Sequence, residues 1–539
     1  MNATPSAASA ARRPERTGLD APAGTALDAP ALVAFATGPI VTLAVVTLAL
    51  HLVVNAFTPY EFHRDEFLYF AMGRHLDFWR MDFPPGIALL AQSMRTLLGD
   101  SLFAIRLAPA LAGTALVVLA AWLARDIGGG RWAQLLAALL VIGNPLFGRT
   151  ASLFQPVVFD QLWWVLAFVA LVRLGRSPAP RWWILLGVAG GFGLLFKWSI
   201  LFVGFGMLVA IVGTPLRRAL RTPWPYVALG IALLIGHPSI TGQLALDWPL
   251  RQQMAGLQDA QLGRIGFAEY AGTQLLFSPI GFVIAGVGLV SLIAASALRP
   301  FRAVGVTCAT VWVLLYLLHG KPYYVGPIFP VLFAAGAVMV ERVARPRLRA
   351  TLLWTASATA VVWGIVTLPL AVPMLPPASM AAYAARLGVS AATTTNRGTQ
   401  LKLPQDYADM LGWETKVREV ARVYHSLSPD EQRDAVIFAS NYGRAGAIDF
   451  YGPRYGLPPA VCACGTYWQF GPGQKPGRVI VAVGVKFVRL RPEFDSVAVV
   501  STVREPWGVD EEQELNISVA RGFHRTLQGI WPTIGPGYR

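Results

Sequence analysis

The stretch YEFHRDEFLYFAMGRHLDFWRMDFPPG, residues 60–86, sets Asp65, Glu66, Asp77 and Asp82 among aromatic side chains, directly after an apolar run long enough to cross a bilayer. Asp65 and Glu66 are neighbours in sequence, so on a helix they point about 100° apart. One can approach a reacting group while the other holds a cation, a ligand or an adjoining helix. Asp82 precedes Phe83-Pro84-Pro85, a break that stops a helix and fixes the direction of the chain. Asp160 in QPVVFDQLWW and Lys197 in LLFKWSILF are ionisable groups in apolar surroundings, where an unpaired charge is costly and function is the default reading. Acids just outside a membrane can simply face water; the mapping of all these groups to one outer surface weighs against that plain account.

The elements that must position them are membrane helices. Of 539 residues, 55% are hydrophobic and only 14% charged, against about 25% charged in ordinary soluble domains. That excludes a soluble enzyme. A net charge of +15 could suggest nucleic acid, but the arginines fall in short gaps between apolar runs, which is a topology signal and not a binding patch. Candidate spans lie near 34–57, 101–124, 132–148, 157–173, 182–196, 199–213, 224–240, 273–297, 303–318, 323–341 and 350–372, about eleven helices. Gaps carrying Arg125/Arg131, Arg173/Arg176/Arg181, Arg217/Arg218/Arg221, Arg299/Arg302 and Arg342/Arg345/Arg347/Arg349 alternate with poorly charged ones. With Arg12, Arg13 and Arg16 they assign the N-terminus to the cytoplasm and the opening stretch to the outside.

Three segments follow. Residues 1–30 read as a disordered cytoplasmic tail. Residues 31–372 form the transmembrane part, in which 58–100 is the first outer loop. From 373 to 539 charges and turn residues return; RDAVIFAS and GRVIVAVGV read as strands and DYADMLGWETKVREVARVYHSL as helical, which predicts an external soluble α/β domain. Cys462 and Cys464 form a C-x-C; two unrelated small residues in a turn is the favoured account, with a bond or redox role as the alternative.

In their order along the chain these motifs resemble a known group. The Asp-Glu pair, the acid before Pro-Pro, the acid of the fourth span, the Lys of FKWS and the run HGKPYYVGPIFPVLFAAGAV are similar to those of the GT-C fold glycosyltransferases that use lipid-phosphate sugars. Within these, the protein O-mannosyltransferase and aminoarabinose transferase superfamily is the nearest pattern, over roughly residues 58–340. SNYGRAGAIDFYGPRYGLP and GTYWQFGPG also look like the tail of uncharacterised bacterial members.

The resemblance implies a polytopic α-helical, GT-C-like membrane protein with an extracytoplasmic α/β domain, acting as a glycosyltransferase in the inner membrane. Asp65 matches the base that takes the acceptor proton, and Glu66 matches its orienting partner. Asp82 and Asp160 match positioning acids. Lys197 and Tyr324 match contacts to the lipid phosphate, with Lys321 beside the latter, where a cation would stabilise the leaving group. Relatives commonly carry an Arg three positions after the Asp and a Lys before Pro-Pro; here these are Leu68 and Phe83, leaving His63, Arg64 or Arg74 to supply positive charge. The expected donor is a polyprenyl-phosphate sugar, and the acceptor is a glycolipid, glycan or protein hydroxyl; membrane lipids are partners and nucleic acid is not. No metal ligand set is expected, although carboxylates are compatible with a divalent ion. A transporter or lipid flippase is the competing class, but its inverted repeats and midplane ion sites are not seen.

Overall fold

The computed structural model describes residues 30–263, 265–388 and 390–537. The reading of residues 1–30 as a tail therefore falls almost wholly outside the described residues. Among these, seven helices are long and apolar enough to span a membrane: Thr37–Phe57, Leu102–Asp126, Pro156–Arg176, Trp224–Ala245, Ser296–Leu317, Pro322–Glu341 and Pro346–Ala371. Two bent pairs, Ile200–Gly213 with Pro215–Arg221 and Phe267–Phe277 with Pro279–Ala294, raise the number to nine if each is one span. The expected spans at 132–148 and 182–196 fall on shorter apolar helices, Arg131–Ile142 and Pro180–Phe196. Arg131–Ile142 has 12 residues, about 18 Å at 1.5 Å per residue, well short of a 30 Å hydrocarbon core. By length and composition seven to nine of the eleven expected spans qualify, and these two shorter apolar helices account for the remainder. The break has a local cause: Asn144 caps a second short helix, Pro145–Ala151, by accepting from Leu146 N–H at 3.0 Å.

The C-terminal part carries one five-stranded sheet, ordered β2-β1-β3-β5-β4. β1 (Ala435–Ala439) and β3 (Val479–Val483) are parallel neighbours, with β2 (Ala460–Val461) outside β1. β5 (Glu514–Phe523) and β4 (Phe494–Arg504) add an antiparallel edge. β3 is buried along its whole length, which explains its unbroken apolar run. The expected strands at RDAVIFAS and GRVIVAVGV are β1 and β3, and the helical stretch resolves into Trp413–His425 after a left-handed glycine, Gly412, at φ 73°. Cys462 and Cys464 are disulfide-bonded, so the favoured account of two unrelated turn residues is corrected: a two-residue separation still allows the 5.3 Å Cα–Cα approach a bridge needs.

The loop at residues 58–100 and this C-terminal part pack together. Glu61 N–H donates to the Met410 carbonyl at 2.9 Å and Arg64 N–H to that of Asp409 at 3.3 Å. Residues 60–86 and 403–470 therefore lie on one side of the helical bundle.

Candidate active site

The helix Arg64–Arg74 presents the Asp-Glu pair, and its start is doubly fixed. His63 Nδ1 accepts from Asp65 N–H at 3.1 Å, while Glu66 Oε2 accepts from His63 N–H at 2.6 Å, a reciprocal cap. The roughly 100° between the two acids then separates their fates. Glu66 turns inward and is fully buried against an equally buried Arg106, which donates from Nε to Oε1 at 2.9 Å and from Nη2 to Oε2 at 2.7 Å. Oε1 also accepts from Phe154 N–H at 2.9 Å. Glu66 thus ties three segments together and faces no opening. Its geometry accords with the orienting role that the resemblance implies for it.

Asp65 points the other way, with 29% of its side chain exposed, whereas Glu66, Asp82 and Asp160 are buried. Its Oδ2 accepts from Gln155 Nε2 at 3.0 Å and its Oδ1 from the Tyr442 hydroxyl at 2.8 Å. A carboxylate has about four lone-pair sites. Two are engaged by these donors, so capacity to take a proton remains on the exposed side.

The other expected residues divide into a cationic wall and a set of anchors. Lys197 caps the Pro180–Phe196 helix and lies 4.8 Å from the ring centre of Tyr324 and 5.9 Å from that of Tyr323. Asp160 accepts from Trp164 Nε1 at 3.0 Å, on its own helix, and from Ser199 Oγ at 2.6 Å, which ties the chain two residues after Lys197 to the Pro156–Arg176 helix. Lys321, outside the spans, is pushed down to about 8 by burial and then by the Lys197 charge, against the pull of Asp406 and Asp65. Lys321 thus feels the charges of Lys197, Asp406 and Asp65, and Lys197 feels that of Asp160; among the described residues neither ammonium forms an ion pair within 4.0 Å. Asp82 accepts from Thr466 Oγ1 at 2.9 Å, and its carbonyl accepts from Gln243 Nε2 at 2.7 Å; it joins the loop to the C-terminal part and to the Trp224–Ala245 helix. Arg64 is taken up by Asp409 at 2.9 Å and Glu511 at 2.5 Å, and Arg74 donates to the Asp449 carbonyl at 2.5 Å. These two are not the spare cations that the missing Arg and Lys of the family pattern would require. His63 is buried, its Nε2 without a hydrogen-bond partner and 3.8–3.9 Å from Asp409 and Asp406.

Several residues that shape the site were not singled out by the sequence reading. Arg149 donates from Nε to Asp406 Oδ2 at 2.6 Å, and its guanidinium lies 4.2 Å from the Tyr407 ring centre. Burial pushes Asp406 up, but Arg149, then His63 and Lys321, outweigh it and leave the carboxyl below its usual range. Asp409 is pushed up to about 6 by burial, with Arg64 and His63 pulling it back. Two signals are in the sequence: Arg149 falls in a gap that charge alternation assigns to the arginine-poor side, and Arg106 lies inside an apolar run, where an arginine needs a partner. Among the described residues no three His, Cys, Asp or Glu side chains gather as ligands for a metal ion. An apolar crevice of about 600 Å³, lined by Leu43, Trp132, Leu139, Arg349 and Leu353, contains none of the site residues.

This architecture has known counterparts. Residues 82–241 match the family model described as dolichyl-phosphate-mannose-protein mannosyltransferase. The crystal structure of ArnT from Cupriavidus metallidurans bound to undecaprenyl phosphate is 16% identical, with a TM-score of 0.57 over 90% of this chain and 98% of that one. The same protein in the apo state gives 16% identity and a TM-score of 0.56, over 89% of this chain and 97% of that one. No curated protein matches the sequence. The family model covers less than half of the chain, within the helical bundle, and the structural likeness shows that the chain has the GT-C fold. It is a multi-pass membrane protein with that fold.

Proposed function

We propose that this protein transfers a sugar from a polyprenyl-phosphate donor to a hydroxyl acceptor at the outer face of the inner membrane, with Asp65 as general base. One observation carries the reading: of the four expected acids only Asp65 is partly exposed, and Gln155 and Tyr442 hold its two oxygens, while Lys321 feels the charges of both Asp65 and Lys197. A base with two ammonium groups on the same part of the chain's surface suits a single in-line displacement. The acceptor oxygen forms a bond to the anomeric carbon while its proton passes to Asp65. The bond from that carbon to the phosphate oxygen breaks, and the departing lipid phosphate, carrying the electron pair, is stabilised by Lys197 and Lys321. The expected outcome is inversion. Tyr324 borders the phosphate, Asp160 supports Lys197, and Asp82, Glu66, His63 and Arg64 hold the loop in register. The undecaprenyl phosphate named with the ArnT structure accords with such a donor. In this reading residues 373–539 are extracytoplasmic, and the acceptor is a glycolipid, glycan or protein.

A transporter or flippase has no use for an oriented carboxylate at one surface. The decisive experiment incubates the full-length protein in nanodiscs with undecaprenyl-phosphate-linked hexoses and 4-aminopentoses plus an envelope-lipid extract, and follows release of undecaprenyl phosphate. Release by the wild type, reduced about 10²–10⁴-fold in Asp65→Asn with undecaprenyl phosphate still bound, is expected. Asp65→Asn at wild-type rates would remove Asp65 from the base role.

A further inference from the structure

The C-terminal part reaches into the site through one side chain. Tyr442 stands in the first turn of the helix Tyr442–Tyr451, whose N-cap Asn441 accepts from Arg444 N–H at 2.9 Å and donates to Glu512 at 3.2 Å. The preceding β1 strand is buried in the sheet core and fixes where this helix starts. Two glycines bring it against the helix bearing Asp65. A Cβ on Gly443 would meet the Arg64 Cβ at 2.9 Å, and one on Gly446 would meet the Phe67 Cβ at 2.6 Å. Any larger residue would push the two helices apart. The separation they permit is the one at which the Tyr442 hydroxyl donates to Asp65 Oδ1 at 2.8 Å. Arg64, the residue before Asp65, is clamped at the same junction by Asp409 and Glu511.

We infer that Tyr442 is a positioning residue for sugar transfer, and that the C-terminal part completes the active site by orienting Asp65. The inference rests on the transferase reading of Asp65. With Gln155 holding Oδ2 and Tyr442 holding Oδ1, the carboxylate plane cannot swing, and its two remaining lone-pair sites are aimed at the acceptor. Without the phenol, χ rotation is restrained from one side only, and the fraction of time spent in the reactive orientation falls. Substrate is bound elsewhere, on the cationic wall, so the effect belongs to turnover and not to donor affinity. The motif SNYGRAG follows from this account: the tyrosine supplies the hydroxyl, and the glycines allow the approach.

Tyr442→Phe keeps the ring and removes only the hydroxyl. Two measurements on the full-length protein in nanodiscs test its role. The first is labelling of Asp65 by a water-soluble carbodiimide, read by peptide mass spectrometry. It is expected to rise several-fold in Tyr442→Phe while Asp77, in the same loop, labels as in the wild type. Unchanged Asp65 labelling overturns the inference. The second is a double-variant cycle of donor turnover with the undecaprenyl-phosphate-linked sugars. Loss of one hydrogen bond to a charged group predicts roughly a 10- to 100-fold lower kcat with little change in KM. No further loss is expected when Tyr442→Phe is added to Asp65→Asn, and losses that multiply overturn the inference. If the wild type releases nothing from any donor, the transferase reading fails, and the labelling result alone decides whether Tyr442 holds Asp65.

Discussion

Replacing Glu66 by Gln tests whether this acid serves the chemistry or the scaffold. Four donors converge on its carboxylate: Arg106 Nε and Phe154 N–H on Oε1, Arg106 Nη2 and His63 N–H on Oε2. A glutamine offers one acceptor oxygen, so whichever way its amide lies, an NH₂ group faces two donors. The Arg106 charge is left without its partner in a fully buried site. Breaking such a pair from one side costs about 3–5 kcal/mol, and each orphaned buried donor adds about 1–3 kcal/mol. A total of this size is comparable with the whole stability of many domains. Glu66→Gln should therefore appear as a lower yield of folded protein and a lower aggregation temperature in detergent, followed by size-exclusion fluorescence after heating. The combination Glu66→Leu with Arg106→Met removes both charges, and buried pairs replaced in this way are often neutral in stability. It is expected to recover much of the thermal loss while turnover stays low, because the helix cap at His63 and the tie to Phe154 are gone. A Glu66→Gln protein with wild-type yield and thermal stability, defective only in turnover, would refute the scaffold assignment and return Glu66 to the chemistry.

Further outcomes follow from the same geometry. Lys197→Ala should raise the donor KM and lower turnover by about 10²-fold, by analogy with loss of one group that stabilises developing negative charge, with the protein still folded; unchanged kinetics would reduce Lys197 to a headgroup contact. Lys321, held near 8 chiefly by burial, is protonated below that pH and neutral above it, so binding of undecaprenyl phosphate should weaken as pH rises from 7 to 9. In Lys321→Arg that weakening should be largely absent in a titration at the same pH values, because a guanidinium stays charged. Cysteines introduced at Ser177 and Ser426, both exposed, should label from opposite faces of the membrane, and labelling from one face would overturn the assigned topology.

Composition and charge alternation determined the membrane class, because the bilayer imposes a minimum length and apolarity on each span and arginine marks one side of it. The likeness of motif order to GT-C enzymes picked out Asp65 and Lys197 for the same reason: a charge beside or within an apolar run stands out locally. Span count was less legible, since apolarity does not report the break at Asn144 or the 108° bend between Phe267–Phe277 and Pro279–Ala294. What the neighbouring acids do was decided only in three dimensions. Sequence adjacency sets Asp65 and Glu66 about 100° apart, but which of them is buried depends on Arg106, 40 residues away from Glu66. The hydroxyl that orients Asp65 comes from Tyr442, 377 positions further on, and Arg149 meets Asp406 across 257 positions. Helical periodicity tells which face of an element is apolar, not which distant element it will meet. A site built from such meetings therefore leaves only fragments in the sequence, here a pair of glycines and a tyrosine in SNYGRAG and two arginines where a membrane protein should not keep them.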